Sequence, residues 1–361
     1  MSRRVLVARL DSIGDVLLAG PAVRAVAASA SVHMLCSPAG AAAAQLLPGV
    51  DEVLEWDCPW IGNPARPATP GAVGRLSGLV TAAAPDEAVI LTSFHQSPLP
   101  LALLLRLSGV PRITAASVDY AGSLLDVRLR PGEDFPESQA EVSRALAIAG
   151  AAGFELPPGD DGRLAIRRRE EATTPVEESR YVVVHPGAAV PARALPVSLH
   201  SELVAALHHA GVRVVVTGSP AERGLTARVA GDTAIDLGGT TDLARLAEVL
   251  AGADAVVVGN TGAAHLAAAV GTPVVSLFSP VVDERCWRPF GVPTIVLGRT
   301  DVACAGTRAR ICPVPGHPCL SDIRPEQVVD AVMALRRHPA PILDGAAAPT
   351  GPDPTRTAVP A

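Results

Sequence analysis

The sequence predicts an α/β protein made of two doubly wound domains. Three observations lead to this fold class. Apolar runs of strand length alternate with segments of helical spacing, Gly-containing turns separate them, and the 361-residue chain is long enough for two cores. Apolar residues make up 48% of the chain and charged residues 18%, which is typical of a globular protein.

The first half starts with a β-rich run at residues 4–8, a Gly-containing turn and a helical pattern at 15–28. Further strands are predicted at 31–36, 52–55, 88–91 and 112–115, and helices at 38–47, 99–107 and 137–151. Residues 60–74 are rich in Pro, Gly and Asn, which predicts a surface loop and a candidate acceptor contact. The first domain is predicted to span 1–165.

Between 156 and 180 the composition shifts to Pro, Gly and charge, with one further strand expected at 164–166, so the domain boundary is placed here. The second domain, 178–337, again alternates. Its strands are predicted at 181–185, 212–217, 233–236, 255–258 and 274–278, and its helices at 198–209, 220–230, 242–251, around His265 and at 325–337. Residues 338–361 are rich in Pro, Ala and Thr and are predicted to form a disordered tail.

Charge and apolar patterning exclude several function classes. The net charge of −6 leaves no basic footprint for nucleic acid. The N-terminal apolar run is interrupted by Arg9, Asp11 and Asp15 before it reaches signal-peptide or membrane-span length. We therefore expect the run to be the first strand of a cytoplasmic protein.

The six cysteines include no CxxC pair, which favours reduced structural thiols. Cys304, Cys312 and Cys319 cluster near His317 and leave a disulfide or a zinc site open. Their spacing matches no common zinc pattern, so a metal is disfavoured.

Three loops follow strands at their carboxyl ends, where open α/β sheets bind ligands. In the first, Asp11 and Asp15 flank a turn whose Gly14 is expected to leave room for a substrate. Asp15 starts a helix, and the helix dipole favours the ionised carboxylate that a general base needs. The alternative is that either Asp simply caps the helix.

In the second loop, His185-Pro186-Gly187-Ala188 is followed by Arg193, whose planar cation suits a diphosphate. A solvated Arg is the alternative.

The third loop is Asn260-Thr261-Gly262, with His265 on the helix that follows. The amides of Thr261, Gly262 and Ala263 are expected to bind a phosphate at the helix N-terminus. A core histidine is the alternative for His265.

The segments around these loops resemble the sequence motifs of a known protein family. RVLVARLDSIGDVLLAGPAVRAV resembles the N-terminal signature of heptosyltransferase-like glycosyltransferases (glycosyltransferase family 9): strand, Arg-x-Ser/Asp-x-x-Gly-Asp, helix and Pro. VVVHPGAAVPARALP resembles the family's His-Pro-Gly-Ala segment, and VVGNTGAAHLAAAVGTPVVSLFSP resembles its Asp/Asn-Thr-Gly-x-x-His-Leu-Ala hallmark. CLSDIRPEQVVDAVMAL resembles its C-terminal helix. The order of the four segments over residues 3–337, more than any one motif, gives the resemblance its specificity.

The resemblance implies a GT-B fold, in which two Rossmann-like domains face each other across a cleft and an inverting transfer needs no metal. It implies that Asp15 is the base and that Arg193 neutralises the leaving diphosphate. The remaining residues that it implicates are Thr261, Gly262 and His265 around the diphosphate, Asn260 in the same loop, Glu222 near the ribose, and Asp11 and Gly14 on the acceptor side. Two positions depart from the family: Asn260 stands where many members have Asp, and Leu195 replaces the usual Trp beside Arg193.

The implied donor is a nucleotide-sugar, commonly ADP-heptose, used without a cofactor. The implied acceptor is a glycan such as the lipopolysaccharide core, although another cell-surface glycan or a glycosylated metabolite stays open. Peripheral contact with the inner face of the membrane is a further expectation. The alternatives are a GT-B sugar-nucleotide epimerase and a non-catalytic sugar-nucleotide-binding protein. A dinucleotide oxidoreductase ranks lower, because no strand is followed by GxGxxG.

Overall fold

A computed structural model describes residues 3–62, 64–93, 95–168, 176 and 180–337. The strands are β1 (Arg4–Arg9), β2 (Ser31–Cys36), β3 (Glu52–Glu55), β4 (Glu87–Ile90), β5 (Ile113–Ala116), β6 (Val127–Leu129), β7 (Val182–His185), β8 (Val214–Val216), β9 (Ile235–Asp236), β10 (Ala255–Gly259), β11 (Val274–Leu277) and β12 (Thr294–Leu297). The helices are α1 (Ile13–Leu18), α2 (Gly20–Ala27), α3 (Pro38–Leu46), α4 (Pro70–Ala83), α5 (Leu99–Leu107), α6 (Glu141–Ala151), α7 (Val197–His209), α8 (Arg223–Ala230), α9 (Leu243–Ala251), α10 (Gly262–Ala269), α11 (Glu284–Trp287), α12 (Pro318–Ser321) and α13 (Pro325–Arg337).

The strands form two parallel six-stranded sheets with the same topology. The first has the order β3-β2-β1-β4-β5-β6 and the second β12-β11-β10-β7-β8-β9. Each sheet therefore reverses its winding direction once, between β1 and β4 in the first and between β7 and β10 in the second. The predicted fold class, two doubly wound α/β domains, is confirmed.

The inner strands of both sheets are buried because their residues are apolar on both faces, as in parallel sheets covered by helices. In β1, Val5, Leu6 and Val7 are fully buried, with Val5 and Val7 in one core cluster and Leu6 in another. The second sheet likewise divides its side chains between two clusters. Both domains thus have a core on each face of the sheet.

The helix predicted at 15–28 is two helices. Ala19 ends α1 and precedes α2, whose second residue is Pro21. Proline has no amide to continue the hydrogen-bond ladder, so the chain breaks there. The strand predicted at 164–166 is wrong, since these residues belong to no strand.

The loop predicted at 60–74 is partly wrong, because Pro70 to Gly74 form the first turn of α4. The Thr69 hydroxyl accepts the Ala72 amide at 3.2 Å, and Pro70 occupies a position where no amide is needed. Trp60, at the start of the loop, packs edge-on against Trp56 with the ring centroids 5.4 Å apart. The Pro and Gly in this stretch start a helix as well as a loop.

The described residues 164–167 still pack on the first domain. Leu164 and Ile166 still pack beside Val142 of α6, and the Arg167 amide donates to the Leu46 carbonyl at 2.7 Å. Most of residues 169–179 lie outside the described part, so the domain bounds stay predictions. The tail predicted at 338–361 also lies outside the described residues.

Candidate active site

Four loops meet where the two sheets face each other. Each sheet supplies two of them, from the two strands that flank its reversal point. They follow β1, β4, β7 and β10, and α1 of the first domain packs directly on α10 of the second. The sequence predicted three of these loops. The fourth, after β4, was missed.

Arg9, at the end of β1, is the centre of the first domain's half of the site. It is 2% exposed, and its guanidinium contacts three carboxylates: Asp11 at 3.0 Å, Asp15 at 2.9 Å and Glu141 at 3.2 Å. It also donates to the Ser93 hydroxyl at 2.9 Å. One buried cation thus fixes carboxylates from the β1–α1 turn and from α6.

Asp15 lies in the first turn of α1 with its side chain 15% exposed. The Ser12 amide and hydroxyl both donate to its Oδ2, at 3.2 and 2.7 Å. Burial acts to raise the pKa of Asp15, but the Arg9 charge and the Ser12 hydrogen bonds hold that pKa below its usual value. Asp15 is therefore ionised at neutral pH.

The pKa values of Asp11 and Glu141 are shifted in the opposite direction to that of Asp15. Burial raises the pKa of both carboxyl groups, although Arg9 opposes it. The amide of Gln96 donates to Asp11 and ties it to the loop after β4. Three neighbouring carboxylates therefore hold different proton affinities, a pattern that is frequent at catalytic sites.

Gly14 is a point of close approach between the two domains. A Cβ there would lie 3.0 Å from Cδ2 of His265 and 3.2 Å from the Gly262 Cα. The expectation that Gly14 leaves the loop open to a substrate is wrong, because the second domain fills that space. Glycine at this position lets the base loop and the α10 N-terminus touch.

On the second domain's side, three buried polar atoms face the same region. Arg193 Nε, Thr261 Oγ1 and His265 Nδ1 have no hydrogen-bond partner within the described residues. Such atoms are costly to bury unless a ligand or water satisfies them. Burial lowers the pKa of His265 to about 4, with Asp15 opposing the shift and Arg193 adding to it. The imidazole is therefore neutral and presents one donor and one acceptor.

A narrow pocket lies beside Arg193. It is lined by Pro186, Gly187, Arg193, Leu195, His200, Gly259 and Leu277. Gly259 lies close to the Arg193 turn, since a Cβ there would be 3.1 Å from the Arg193 carbonyl oxygen. Leu195 forms part of this wall.

The turn that carries Arg193, Pro191–Arg193, is held from a distant segment. The Ala192 amide donates to the Arg310 carbonyl at 2.9 Å, and the His317 Nε2 lies 3.1 Å from the Ala192 carbonyl oxygen. Ala192 itself is fully buried. The segment 299–317, which we call the clamp segment, thus fixes the backbone next to the cation.

Not every residue of the third loop is free for a ligand. The Thr261 amide donates to the Gly259 carbonyl at 2.8 Å, so the expectation that this amide binds an anion is wrong. The amides of Gly262 and Ala263 stay candidates at the start of α10. Asn260 exchanges two hydrogen bonds of 3.4 Å with the Ser279 backbone, using its amide both as donor and as acceptor. An Asp there would keep only the acceptor half.

Glu222 caps its own turn, as Oε2 accepts from the Ser219 amide and hydroxyl, each at 2.7 Å. Its carboxylate also lies over Gly187, where a Cβ would be 2.1 Å from Oε1. The geometry thus places Glu222 next to the His-Pro-Gly loop, and its contact with a ribose stays a prediction.

Sequence reasoning missed Glu141, Arg144 and Arg308. Arg144 is buried, donates to the Thr92 carbonyl at 3.2 Å and stacks on Phe135 at 5.1 Å. Arg308, on the clamp segment, has a left-handed backbone, and its amide donates to the Val281 carbonyl at 2.7 Å. Burial lowers the pKa of Arg308 while Glu141 opposes the shift, so this second-domain cation faces the first domain's acids. No local pattern signals these residues, because each pairing joins distant segments.

All six cysteines are free thiols. Within the described residues, no group of three or more His, Cys, Asp or Glu side chains is arranged to hold a metal ion.

Comparison with known proteins assigns the family. Residues 98–316, more than half of the chain, match the sequence model of glycosyltransferase family 9 (heptosyltransferase). The chain belongs to glycosyltransferase family 9. This confirms the resemblance seen in its four sequence segments.

Among curated proteins, the family 9 chain is similar to lipooligosaccharide heptosyltransferase 2 of two Campylobacter jejuni strains. One is 26% identical over 98 residues and the other 24% identical over 95 residues. The first match covers 27% of this chain, and each match spans 30% of the relative.

Solved structures show the same fold over nearly the whole chain. A family 9 glycosyl transferase from Veillonella parvula is 17% identical, with a TM-score of 0.73 and coverage of 93% of this chain and 97% of that one. The E. coli ADP-heptose LPS heptosyltransferase II is 21% identical, with a TM-score of 0.69 and coverage of 92% and 98%. E. coli heptosyltransferase WaaC with ADP-2-deoxy-2-fluoro heptose is 21% identical, with a TM-score of 0.67 and coverage of 92% and 99%. The two parallel-sheet domains therefore form a GT-B fold.

Proposed function

We propose that this family 9 chain is an inverting, metal-independent glycosyltransferase that moves a heptose from ADP-heptose to a hydroxyl of a glycan. One observation carries the proposal. The ionised Asp15 carboxylate and the unpartnered polar atoms of Arg193, Thr261 and His265 come from opposite domains and meet at the Gly14 contact. Transfer from a diphosphate leaving group requires a base for the acceptor hydroxyl on one side and hydrogen-bond donors for the diphosphate on the other.

In the proposed reaction, Asp15 accepts the proton of the acceptor hydroxyl. The oxygen attacks the anomeric carbon, and the bond from that carbon to the diphosphate oxygen breaks. Inversion follows from this single displacement. Arg193, the amides at the start of α10 and a donor nitrogen of His265 meet the negative charge that develops on the diphosphate.

Charges on both sides of the cleft fit these roles. The lowered pKa of Asp15 keeps the base ionised before the acceptor arrives, and Arg9 holds the carboxylate in place. Burial lowers the pKa of Arg193. Its Nε has no hydrogen-bond partner among the described residues. A diphosphate there would satisfy this nitrogen and stabilise the guanidinium charge.

The names of related proteins guide the choice of substrates. The E. coli neighbours are described as an ADP-heptose LPS heptosyltransferase and as WaaC with ADP or a fluorinated ADP-heptose, and the C. jejuni relatives as lipooligosaccharide heptosyltransferases. We propose the same donor class for this chain and a lipid-linked or other glycan acceptor. The enzyme would work in the cytoplasm, in peripheral contact with the inner face of the membrane.

Calorimetric titration of the purified protein with ADP, UDP, GDP and dTDP, with and without EDTA, tests the donor site. We expect selective binding of ADP that EDTA does not change. Selective binding of another nucleotide would replace the donor, and the absence of any binding would overturn the donor site.

Turnover tests the roles of the residues. Asp15→Asn should lower kcat by on the order of 10²- to 10⁴-fold and leave ADP affinity unchanged, because the base acts only in the chemical step. Arg193→Ala should weaken both ADP binding and turnover, whereas Ala in place of the exposed Arg324 should change neither. Full transferase activity of Asp15→Asn would show that another group is the base. Nucleotide binding without any glycosidic product would favour a non-catalytic binding protein, and an epimerised donor would favour the epimerase.

A further inference from the structure

Ser12, in the turn between β1 and α1, binds one oxygen of the proposed base. Its amide and its hydroxyl both donate to Oδ2 of Asp15, at 3.2 and 2.7 Å. Ser12 is exposed, so solvent is available to its hydroxyl and burial does not force a contact with the protein. The hydroxyl nevertheless bonds directly to the Asp15 carboxylate.

The hydrogen bonds on Asp15 leave one of its oxygens open. An ionised carboxylate has about four lone-pair sites, shared equally by its oxygens. Ser12 occupies both sites of Oδ2, and Nη2 of Arg9 donates to Oδ1 at 2.9 Å. Within the described structure the remaining site lies on Oδ1. An acceptor hydroxyl that leaves these bonds intact must therefore donate to Oδ1.

Ser12 also fixes the orientation of the carboxylate. The last torsion of an Asp side chain is broad, so a carboxylate held through one oxygen can turn about that torsion. Arg9 on Oδ1 and Ser12 on Oδ2 hold the Asp15 carboxylate from both sides. Arg9 is itself fixed, since it is buried and also bonds Ser93 and Glu141. The open site of Oδ1 therefore has a defined direction.

A helix cap explains only part of this arrangement. In the second domain, the Ser219 amide and hydroxyl donate to Glu222 Oε2, each at 2.7 Å, and start the turn Pro220–Glu222. Capping is therefore a sufficient reason for the bonds from Ser12. It is not a sufficient reason for the contact on the other oxygen of Asp15, which comes from a buried guanidinium. The two contacts together give the carboxylate an orientation that a cap does not need.

Charged and titratable groups of both domains surround Asp15. They are Arg9, Asp11, His95, Glu141, Arg193 and His265. Burial raises the pKa of Asp15, Arg9 opposes this shift most strongly, and the Ser12 hydroxyl opposes it next. Loss of the Ser12 hydroxyl should therefore raise the pKa of Asp15, so that the base is protonated at a higher pH.

We propose that Ser12 is a positioning residue for the base and that it leaves Oδ1 of Asp15 as the oxygen that takes the acceptor proton. In the transfer, the O–H bond of the acceptor breaks and its proton passes to Oδ1. The acceptor oxygen bonds to the anomeric carbon, and the diphosphate leaves with the electron pair of the broken bond. Ser12 acts only through the orientation and basicity of the carboxylate. The inference rests on the proposed function, because it takes Asp15 to be the base.

Titration of the Asp15 carboxyl tests the role of Ser12 without any substrate. The full chain is labelled with carbon-13 at the aspartate side-chain carboxyls and followed by NMR across pH, and Asp15→Asn identifies the signal. We expect Asp15 to titrate at a higher pH in Ser12→Ala than in the wild type, because the ionised form loses a hydrogen bond. Ser12→Thr keeps the hydroxyl and should restore the wild-type titration.

Turnover tests the positioning. ADP release from ADP-heptose is measured across pH with a heptose-free lipooligosaccharide as acceptor. Ser12→Ala should lower kcat roughly tenfold, since a displacement of about 1 Å costs about 10²-fold and a carboxylate still held by Arg9 moves less. The KM for ADP-heptose should stay unchanged, and the acid limb of kcat/KM should move to higher pH. Ser12→Thr should restore both kcat and the acid limb.

The matched control is Ser108→Ala. Ser108 follows α5 in the same domain, and its hydroxyl donates to the Leu104 carbonyl at 2.9 Å. The variant removes a hydroxyl from a helix end away from Asp15, so kcat and the Asp15 titration should equal those of the wild type.

The inference is overturned if Ser12→Ala shows the wild-type titration of Asp15 or keeps the wild-type kcat. It is also overturned if Ser108→Ala loses activity to the same extent, because a general loss of helix stability would then explain both variants. A wild type that releases no ADP would overturn the proposed function instead, and the titration would then judge Ser12 on its own.

Discussion

The contact at Gly14 gives the sharpest prediction about catalysis. A methyl group added by Gly14→Ala would lie 3.0 Å from His265 Cδ2 and 3.2 Å from the Gly262 Cα. Carbon atoms pack at about 3.5–4.0 Å, so the two loops must separate by roughly half an ångström. The contact on Gly262 is with its backbone Cα at the start of α10, so no side-chain rotation can relieve the overlap.

The expected loss is catalytic. A misplacement of about 1 Å can cost about 10²-fold in rate, so a shift of half that size should lower kcat roughly tenfold. The fold should tolerate the change, because Gly14 lies inside α1 and Ala is a better helix former by about 1 kcal/mol. The assay is release of nucleoside diphosphate from the sugar donor at saturating acceptor, with thermal unfolding and ADP titration in parallel.

Gly78 supplies the matched control, since it lies in α4 with nothing within 4 Å of an added Cβ. Gly78→Ala should raise stability by about 0.5–1 kcal/mol and leave kcat unchanged. Wild-type kcat in Gly14→Ala would refute the reasoning, because the close approach of the two loops would then not be the arrangement that reacts.

Two further predictions concern buried titratable groups. Arg9→Met should destabilise the fold by about 3–5 kcal/mol, because it leaves buried carboxylates uncompensated. It should also shift the acid limb of kcat/KM to higher pH, since Arg9 is the main group that lowers the Asp15 pKa; Arg9→Lys should restore part of both. An unchanged acid limb in Arg9→Met would contradict the assignment of that limb to Asp15. For His200, burial lowers the pKa to about 4, so the unfolded chain binds its proton first as the pH falls below the unfolded value of about 6.5. Stability is therefore lost as the pH falls through that window, by roughly 2 kcal/mol between about pH 7 and pH 5 for this group. Urea unfolding at both pH values should show a smaller loss for His200→Gln, and an equal loss would disprove the linkage.

Much of the fold could be predicted from periodicity, because parallel strands buried on both faces leave short apolar runs. The predicted bounds of β2, β3, α5 and α13 coincide with those observed. The errors have local physical causes. Glycines inside α4 hid a helix that Thr69 and Pro70 start, and Pro21 divided a pattern that was otherwise continuous. The edge strands β6 and β12 were not predicted.

The candidate site was predictable only where one loop carries its own chemistry. Asp15 and His265 follow strands in recognisable turns, and the structure brings their loops into contact. The environment that tunes Asp15 was not predictable, because Glu141 lies 132 residues from Arg9 in sequence. Gly14 was interpreted as room for a substrate, since its partner Gly262 belongs to the other domain. Contacts between residues of different domains cannot be predicted from a local sequence pattern.

The clamp segment couples the positions of two cations. It contributes no strand to either sheet, yet it fixes the Ala192 backbone through Arg310 and His317 and brings Arg308 to the acids of the first domain. Changes in its length or sequence would therefore move both cations together without altering a strand of either sheet.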